Sequence, residues 1–502
     1  MNLDLRFNGK LNKEASLILD DIVRHKRNSF TKIIDNLSVN FEKNLDWHLS
    51  GPASRNTFLS PFFYYYCSFY LVEHFLNNNK NISLIIIDSF ALENILNNYL
   101  KLRGQKIPIK NIKNNIISRL FSFIKPYLLI STEFSRLISQ FFCANVTKQI
   151  NIKKFNNQQG ITIIDIFSFP GFITKDRYYN GLWENLSVIK KENTYFVPTI
   201  VLVPIKNMFE TFRKLRKSEK NYLIKEDFLN INDLLYSISH YFRIKNINIP
   251  TINVLNIDIS PLISEEIRSM RSYSSSIIGL LNYRFAKNLK TQGIKLNLII
   301  DWFENQVIDK GWNAGFNKYY SSTRSIGYSG QIPSLNYLCS FPSTSDFNLS
   351  LLPFEIAVTG KSLIERTKKY SKKLNVIIAP AFRFKHLWEQ NTFKIDKDCF
   401  TILITLSQFQ DQTINMLKMV QQFAENSNIA NIRYLVKPHP SIEEKKIKKW
   451  WREKWPKNFI IIEGDFSEIL LKSNLLISGM SSVCLETIAM GVPLIIIENI
   501  SG

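Results

Sequence analysis

The stretches Leu435-Val-Lys-Pro-His-Pro440 and Ser478-Gly-Met-Ser-Ser-Val-Cys-Leu-Glu-Thr-Ile-Ala-Met-Gly-Val-Pro493 decide how this chain is read. Each follows a short apolar run that reads as a parallel strand, and loops at the carboxyl ends of such strands are where open α/β sheets bind ligands. The first loop offers a cation, Lys437, and an imidazole, His439, held between Pro438 and Pro440, whose rings restrict the backbone on both sides. The second offers Ser478, Gly479, Ser481 and Ser482 at the opening of a helix that runs to Gly491. Gly479 permits a tight turn, and Ser481 or Ser482 can cap the helix and also bind phosphate. Together the two loops describe a pocket for a phosphate, hence for a nucleotide-activated substrate. The plainer readings are a structural turn with an incidental histidine and simple N-capping. Glu486, one turn into the helix, is placed either to reach ribose hydroxyls or only to pack.

Working outward, the pattern from Cys399 onward alternates cleanly. Strands are expected at 400–405, 432–436, 458–462, 474–477 and 494–498, with helices near 411–424, 441–452, 466–472 and 481–490, so 399–502 reads as a doubly wound domain. Such a domain normally continues into a covering helix, and the stop after Asn499-Ile-Ser-Gly502 reads as a truncation. Residues 366–398 read as a linker, with a helical segment at 360–372 and a short strand at Val376–Ala379. Before it, 1–365 reads as a second α/β domain. There Ser83–Ile87 and 90–103 form one β-α unit, 61–77 is an aromatic-rich helix, 50–57 is a loop, and strands follow at 161–167, Val197–Val203 and Leu296–Ile300. Helical segments are expected near 205–217, 231–243 and 261–290.

A second constellation stands directly after the strand at 296–300: Asp301-Trp-Phe-Glu-Asn-Gln306. A carboxylate at a strand's carboxyl end, beside aromatics, can have its pKa raised toward the range of a general base. Glu304 and Asp301 compete for the role. The plainer reading makes Asp301 a helix cap.

The 502 residues predict two or three domains, and net charge is +22, from 64 Lys+Arg against 42 Asp+Glu. That balance points to an anionic partner, although Ile-, Asn- and Lys-rich codon usage alone also produces it. At 105–150, Lys106, Lys110, Lys113, Arg119, Lys125 and Arg136 interleave with apolar residues at helical spacing. This basic helical insertion suits either an anionic membrane surface or a hairpin packed on its own domain. The five cysteines stand singly, without a CxxC pair, which fits a reducing cytoplasm and indicates neither a zinc site nor a disulfide framework. The opening Met-Asn-Leu-Asp-Leu-Arg carries no apolar signal core, and no run reaches the roughly 18 apolar residues of a spanning helix. There is no DxD pair on a candidate loop, no Gly-x-Gly-x-x-Gly or Walker sequence and no nucleic-acid motif, so neither a metal, a dinucleotide nor nucleic acid is expected.

Residues 399–502 resemble the C-terminal half of a GT-B glycosyltransferase. The Lys-Pro-His-Pro and Ser-Ser elements are similar to those of bacterial CMP-sugar enzymes, the sialyltransferases and Kdo transferases of capsule assembly. Further segments resemble a bacterial family of surface-carbohydrate (capsule or O-antigen) biosynthesis proteins: Ser54-Arg-Asn-Thr, Lys175-Asp-Arg-Tyr-Tyr, Lys225-Glu-Asp, Trp302-Phe-Glu-Asn-Gln, Asp309-Lys-Gly-Trp-Asn-Ala-Gly-Phe, Ile326-Gly-Tyr-Ser-Gly and Ile332-Pro-Ser. The resemblance implies two doubly wound, Rossmann-like domains. It implies a nucleotide-sugar donor, CMP-linked, whose phosphate contacts His439, Ser481 and Ser482, and the reading of the two loops adds Lys437, Pro440, Ser478, Gly479 and Glu486 to the donor site. It implies a glycan or lipid-linked saccharide acceptor and metal-independent transfer without a cofactor; the unpaired cysteines and the basic helix add the expectation of a cytoplasmic protein, peripheral on the membrane's inner face. The acidic-acidic-Gly motif that supplies the base in those enzymes has no convincing counterpart here, which leaves Glu304 and Asp301 open, as is the choice between inversion and retention. The alternatives are CDP-polyol phosphotransfer of the teichoic-acid type and a non-catalytic GT-B scaffold in polysaccharide assembly.

Overall fold

The computed structural model describes residues 1–7, 9–148, 160–175, 177–388, 398–427, 431–440, 442–451, 453–479 and 481–497. The chain divides into two units, Met1–Phe382 and Arg383–Gly502. Each is built on a parallel α/β sheet, the architecture expected from the strand-helix alternation.

The first unit also contains a small parallel sheet, β1 (Asn2–Asp4), β2 (Leu84–Ile87) and β3 (Ile109–Asn111), in that order. Of its covering helices, only Phe62–Asn77 and Phe90–Leu102 were legible as such. The third, Lys13–Asn40, starts at an Asn12 side chain that accepts from the Ala15 amide. It buries Ala15, Leu19, Phe30, Ile34 and Leu37, and the Phe30 ring packs on Phe62 and Phe63 at 4.9 Å. Within 50–57, Gly51–Ser54 forms a helical turn rather than a plain loop.

The main sheet of this unit comprises β4 (Ile161–Ser168) and β5 (Thr194–Ile200), and, after a two-stranded hairpin of β6 (Asn253–Val254) and β7 (Ile257–Asp258), β8 (Leu296–Trp302), β9 (Arg324–Ser329), β10 (Glu355–Val358) and β11 (Val376–Ile378). The order is β11-β10-β9-β8-β4-β5, all parallel. β5 begins earlier than its apolar run suggested, because Thr194, Tyr195 and Phe196 pair with Thr162, Ile163 and Ile164. In the stretch read as a linker, Val376–Ile378 is the edge strand of this sheet, and the helix is confined to Leu363–Thr367. The chain goes β4 to β5 on one side, then crosses to β8 on the other. The strand order therefore reverses between β4 and β8, the place where open α/β sheets form a crevice. Helices Tyr273–Thr291 and Val307–Tyr319 pack backbone to backbone: a Cβ on Gly311 would sit 2.1 Å from the Gly279 carbonyl oxygen.

The second unit contains β12 (Phe400–Thr405), β13 (Ile432–Lys437), β14 (Phe459–Ile461), β15 (Leu475–Ser478) and β16 (Leu494–Ile496), ordered β14-β13-β12-β15-β16 and all parallel. Its helices are Gln410–Asn426, Glu444–Trp451, Phe466–Leu470 and Ser482–Ala489. The order reverses between β12 and β15.

The basic insertion is a single helix, Ile116–Thr147, not a hairpin. Its later half packs Leu137 into the core around Phe285 and Ala144 into a cluster with Phe212. No helix among the described residues is long and apolar enough to cross a membrane.

Asp346 anchors the first unit. Its carboxylate accepts from Arg55 at 2.6 Å, Lys310 at 2.7 Å and the Ser343 amide at 3.0 Å. Burial pushes its pKa up, but Lys310 and Arg55 outweigh that and hold it well below the carboxylate range. Asp346→Ala strands two buried cations, so we expect a loss of about 3–5 kcal/mol of stability in urea unfolding. A change below about 1 kcal/mol would contradict the anchoring role.

Candidate functional site

In the second unit, register places Lys437, Thr405 and Ser478 in one row at the carboxyl edge of three adjacent strands. The Thr405 hydroxyl donates to Ser478 Oγ at 2.8 Å. With strands about 4.8 Å apart, the loops after β13 and β15 are separated by roughly 10 Å, a span a phosphate-linked sugar can bridge. His439 follows the β13 edge, half-buried, in a turn closed by the Ile442 amide on its carbonyl at 2.9 Å. Pro440 is exposed beside it. Lys437 is committed in part, since its Nζ donates to the Gly464 carbonyl at 2.6 Å and steadies the loop after β14. Burial lowers its pKa, opposed by Asp465 and Glu463.

Gly479 is half-buried, and Met480 lies outside the described residues. Ser481 is exposed at the N-cap of helix Ser482–Ala489 but makes no side-chain cap bond. The simple capping reading is therefore not what its hydroxyl does. Two residues missed in the sequence complete this edge. Arg383 donates to Ser482 Oγ at 3.0 Å, and His386 Nε2 lies 3.0 Å from Glu486 Oε2. Glu486 is thus oriented by an imidazole instead of merely packing. Both partners lie in the stretch read as a linker, where only their basic character was available as a signal. Residues 389–397 of that stretch lie outside the described residues.

In the first unit, β8 runs two residues further than expected, which separates the two candidate carboxylates. Asp301 lies inside the strand, 1% exposed. Its Oδ2 accepts from Asn313 at 2.7 Å, and its Oδ1 has no partner among the described residues. Burial, with Asp309 and Asp165 nearby, pushes its pKa well up. Asp301 is thus enclosed within the strand and is not a helix cap, whereas Glu304 lies past the strand's end.

Glu304 sits just past the end of β8, at the reversal between β4 and β8, and is half-buried. Trp302 Nε1 donates to one of its carboxylate oxygens at 2.9 Å and Gln306 Nε2 to the other at 2.5 Å. Its amide donates to Asp309 Oδ2 at 2.9 Å, and Asn305, with φ +56°, turns the chain while donating to the Cys339 carbonyl at 2.7 Å. Trp302 is walled by Tyr178 at 4.1 Å and Tyr328 at 5.7 Å between ring centroids. Gly330 lies so close that a Cβ there would be 2.5 Å from that indole. Other segments singled out in the sequence make contacts elsewhere in the same unit. Thr57 donates to the Asn336 carbonyl at 2.5 Å, and Lys225 is buried on Thr199 at 2.6 Å and Asn282 at 2.8 Å. At Glu304 the result is a carboxylate with fixed orientation and no cation on it among the described residues: an arrangement that can take a proton.

No family model matches the chain, and no curated protein matches it. Similar solved structures include the UDP complex of Staphylococcus aureus MnaA (10% identity, 68% of this chain and 80% of that one, TM-score 0.40). A Neisseria meningitidis UDP-GlcNAc 2-epimerase bound to UDP-GlcNAc has 11% identity, 67% and 82% coverage and a TM-score of 0.36. Acinetobacter baumannii MurG has 8% identity, 68% and 79% coverage and a TM-score of 0.33.

A carboxyl held above its unfolded pKa, near 3.9, binds more protons when folded, so its cost to stability grows as pH rises above about 4. Asp301→Asn removes one such group while keeping its shape. The variant should lose less stability than the parent between pH 4 and 7, measured by urea midpoints. Identical slopes would show that Asp301 is ionised in the fold.

Proposed function

We propose that this protein is a glycosyltransferase that moves a sugar from a nucleotide-activated donor to a surface glycan or lipid-linked saccharide. A CMP-linked donor is the first to test. What supports the reading is the chemistry at the strand-order reversal of each unit, taken by itself. One unit offers hydroxyls, an imidazole and a helix N-terminus at the sheet edge. The other offers the pre-oriented carboxylate of Glu304.

In this reading the donor's phosphate lies over Lys437, His439 and the Ser478–Ser482 loop, and Glu486, steadied by His386, takes the ribose. Transfer forms a bond from an acceptor hydroxyl's oxygen to the donor's anomeric carbon, the hydroxyl proton passing to a base, for which Glu304 is the first unit's candidate. The bond from that carbon to the phosphate oxygen breaks, and the nucleotide leaves with the negative charge. His439, Lys437 and the helix dipole neutralise that charge, the work a metal ion does in other transferases.

His439→Ala should raise the barrier by about 2–4 kcal/mol, read as kcat/KM for sugar transfer, with little effect on folding. Glu304→Gln should keep donor binding and lose transfer, because the amide keeps the shape and cannot accept a proton. Wild-type turnover in either variant would refute the assignment. CDP-polyol phosphotransfer would show instead as release of CMP with transfer of a polyol phosphate. A scaffold would bind nucleotide without turnover.

The lipid-linked acceptor class draws support from helix Ile116–Thr147. Its first half leaves Ile116 85%, Phe123 70% and Leu120, Phe121, Tyr127 and Leu128 at least half exposed. The side chain of Arg119 lies outside the described residues, while Lys106 and Lys110, just before the helix, are exposed. An apolar helical face flanked by cations fits the surface of an anionic bilayer. The protein should sediment with phosphatidylserine or cardiolipin vesicles at low salt and release at high salt. Phe123→Ser combined with Leu120→Ser should abolish binding; equal partitioning onto neutral vesicles would refute the electrostatic part.

A further inference from the structure

One cluster in the first unit has no part in the chemistry at Glu304. Arg27 and Thr31 lie one turn apart on helix Lys13–Asn40, 9% and 2% exposed. A buried guanidinium is costly unless paired. Yet Arg27 Nε has no hydrogen-bond partner among the described residues. Beside them stands Tyr370, fixed through its carbonyl, which accepts from Thr344 Oγ1 at 3.1 Å. Its own hydroxyl is buried and faces the Thr31 hydroxyl. Lys369 Nζ lies 5.3 Å from the Tyr370 ring centroid, and the Phe341 ring packs on that ring at 6.4 Å. The Arg366 guanidinium covers Phe341 at 5.9 Å, and its Nε is likewise without a partner among the described residues.

The acids nearby are already engaged: Asp20 with Arg24, Asp35 with the Ser345 hydroxyl, and Asp346 with Arg55 and Lys310. Burial, then Arg27 and Arg366, hold Lys369 below the usual lysine range. Burial lowers Arg27 as well, with Tyr370 opposing it. Gathering like charges around enclosed donors is unfavourable until an anion supplies acceptors, and guanidinium groups meet phosphate and carboxylate with charge-assisted, often paired hydrogen bonds.

We propose that Arg27, Arg366 and Lys369, with the hydroxyls of Thr31 and Tyr370, bind an oxyanion, the phosphate or carboxylate of an acidic acceptor saccharide. The ligand's identity as acceptor rests on the glycosyl-transfer reading; the site itself does not. Its connection to Glu304 runs through Arg366, whose Nη2 donates to the Pro333 carbonyl in the strip that continues to Tyr337 and Cys339. Cys339 accepts from Asn305, next to Glu304, and Tyr337 lies near Asn56 Nδ2 at 3.5 Å. The acid group of a saccharide bound here would stand on the same frame as the base.

The test is calorimetric titration of the full chain with inorganic phosphate, which needs neither donor nor turnover. It is done in a His439→Ala, Ser482→Ala background, so that the edge of the second unit does not contribute. Phosphate should bind, and adding Arg27→Gln should weaken it about tenfold or more. Lys369→Gln, at a residue with much of its surface exposed, should weaken it several-fold, with unchanged circular dichroism. No phosphate binding in the background, or equal affinity with and without Arg27→Gln and Lys369→Gln, would overturn the site. Glycerol 3-phosphate and glucuronate distinguish the source: displacement of phosphate by either assigns that acid class to the acceptor. Displacement by neither would overturn the acceptor assignment while leaving transfer at Glu304 untouched.

Discussion

The first unit depends on one buried carboxylate, that of Asp346. It receives Arg55 from a turn near residue 54, Lys310 from the helix behind β8, and the amide of Ser343 from its own capping box. Asn305, at the bend beside Glu304, points its amide toward the same oxygen at 3.4 Å. Segments far apart in sequence therefore meet at one charge, and removing that charge leaves two cations enclosed. The bend after β8 can hold Asn305 at positive φ because this network over-determines it.

Above that anchor, topology sets where chemistry can occur. Both main sheets wind outward from a central strand and then reverse, between β4 and β8 and between β12 and β15. At such a reversal the flanking connections leave on opposite faces, and a crevice opens at the carboxyl edge. Glu304 stands at one reversal and the Ser478–Ser482 loop at the other. Neither position is decided by the residue's own chemistry. It is decided by which strands are neighbours, and a polar side chain placed one strand further out would not have the crevice.

The second unit was largely legible in the sequence because its strands are short apolar runs bounded by sharp polar loops. β12 falls where the run Phe400–Thr405 placed it, and β13 and β15 agree to within a residue. The first unit was legible only in part. Helix Lys13–Asn40 is polar on most faces, so its narrow buried stripe of Ala15, Leu19, Phe30, Ile34 and Leu37 gave a weak signal. β9 and β10 carry Ser, Gly, Tyr and Glu and become strands by pairing, not by propensity. The candidate site followed the same division. Lys437, His439 and the serines could be placed from strand ends alone. The separation of Glu304 from Asp301 turned on two extra residues of β8. The parts played by Asp346, Arg383 and His386 depend on contacts between segments distant in sequence, which no local pattern records.

The central claim is that the carboxyl edge of the second unit's sheet holds the nucleotide of an activated sugar. Photo-crosslinking with azido-nucleotide probes of the cytidine and uridine series, followed by peptide mass spectrometry, tests it most directly. The account predicts labelling confined to peptides containing Lys437–Pro440 and Ser478–Glu486, competed by the matching unlabelled nucleotide. Competable labelling that falls only on other peptides would contradict it.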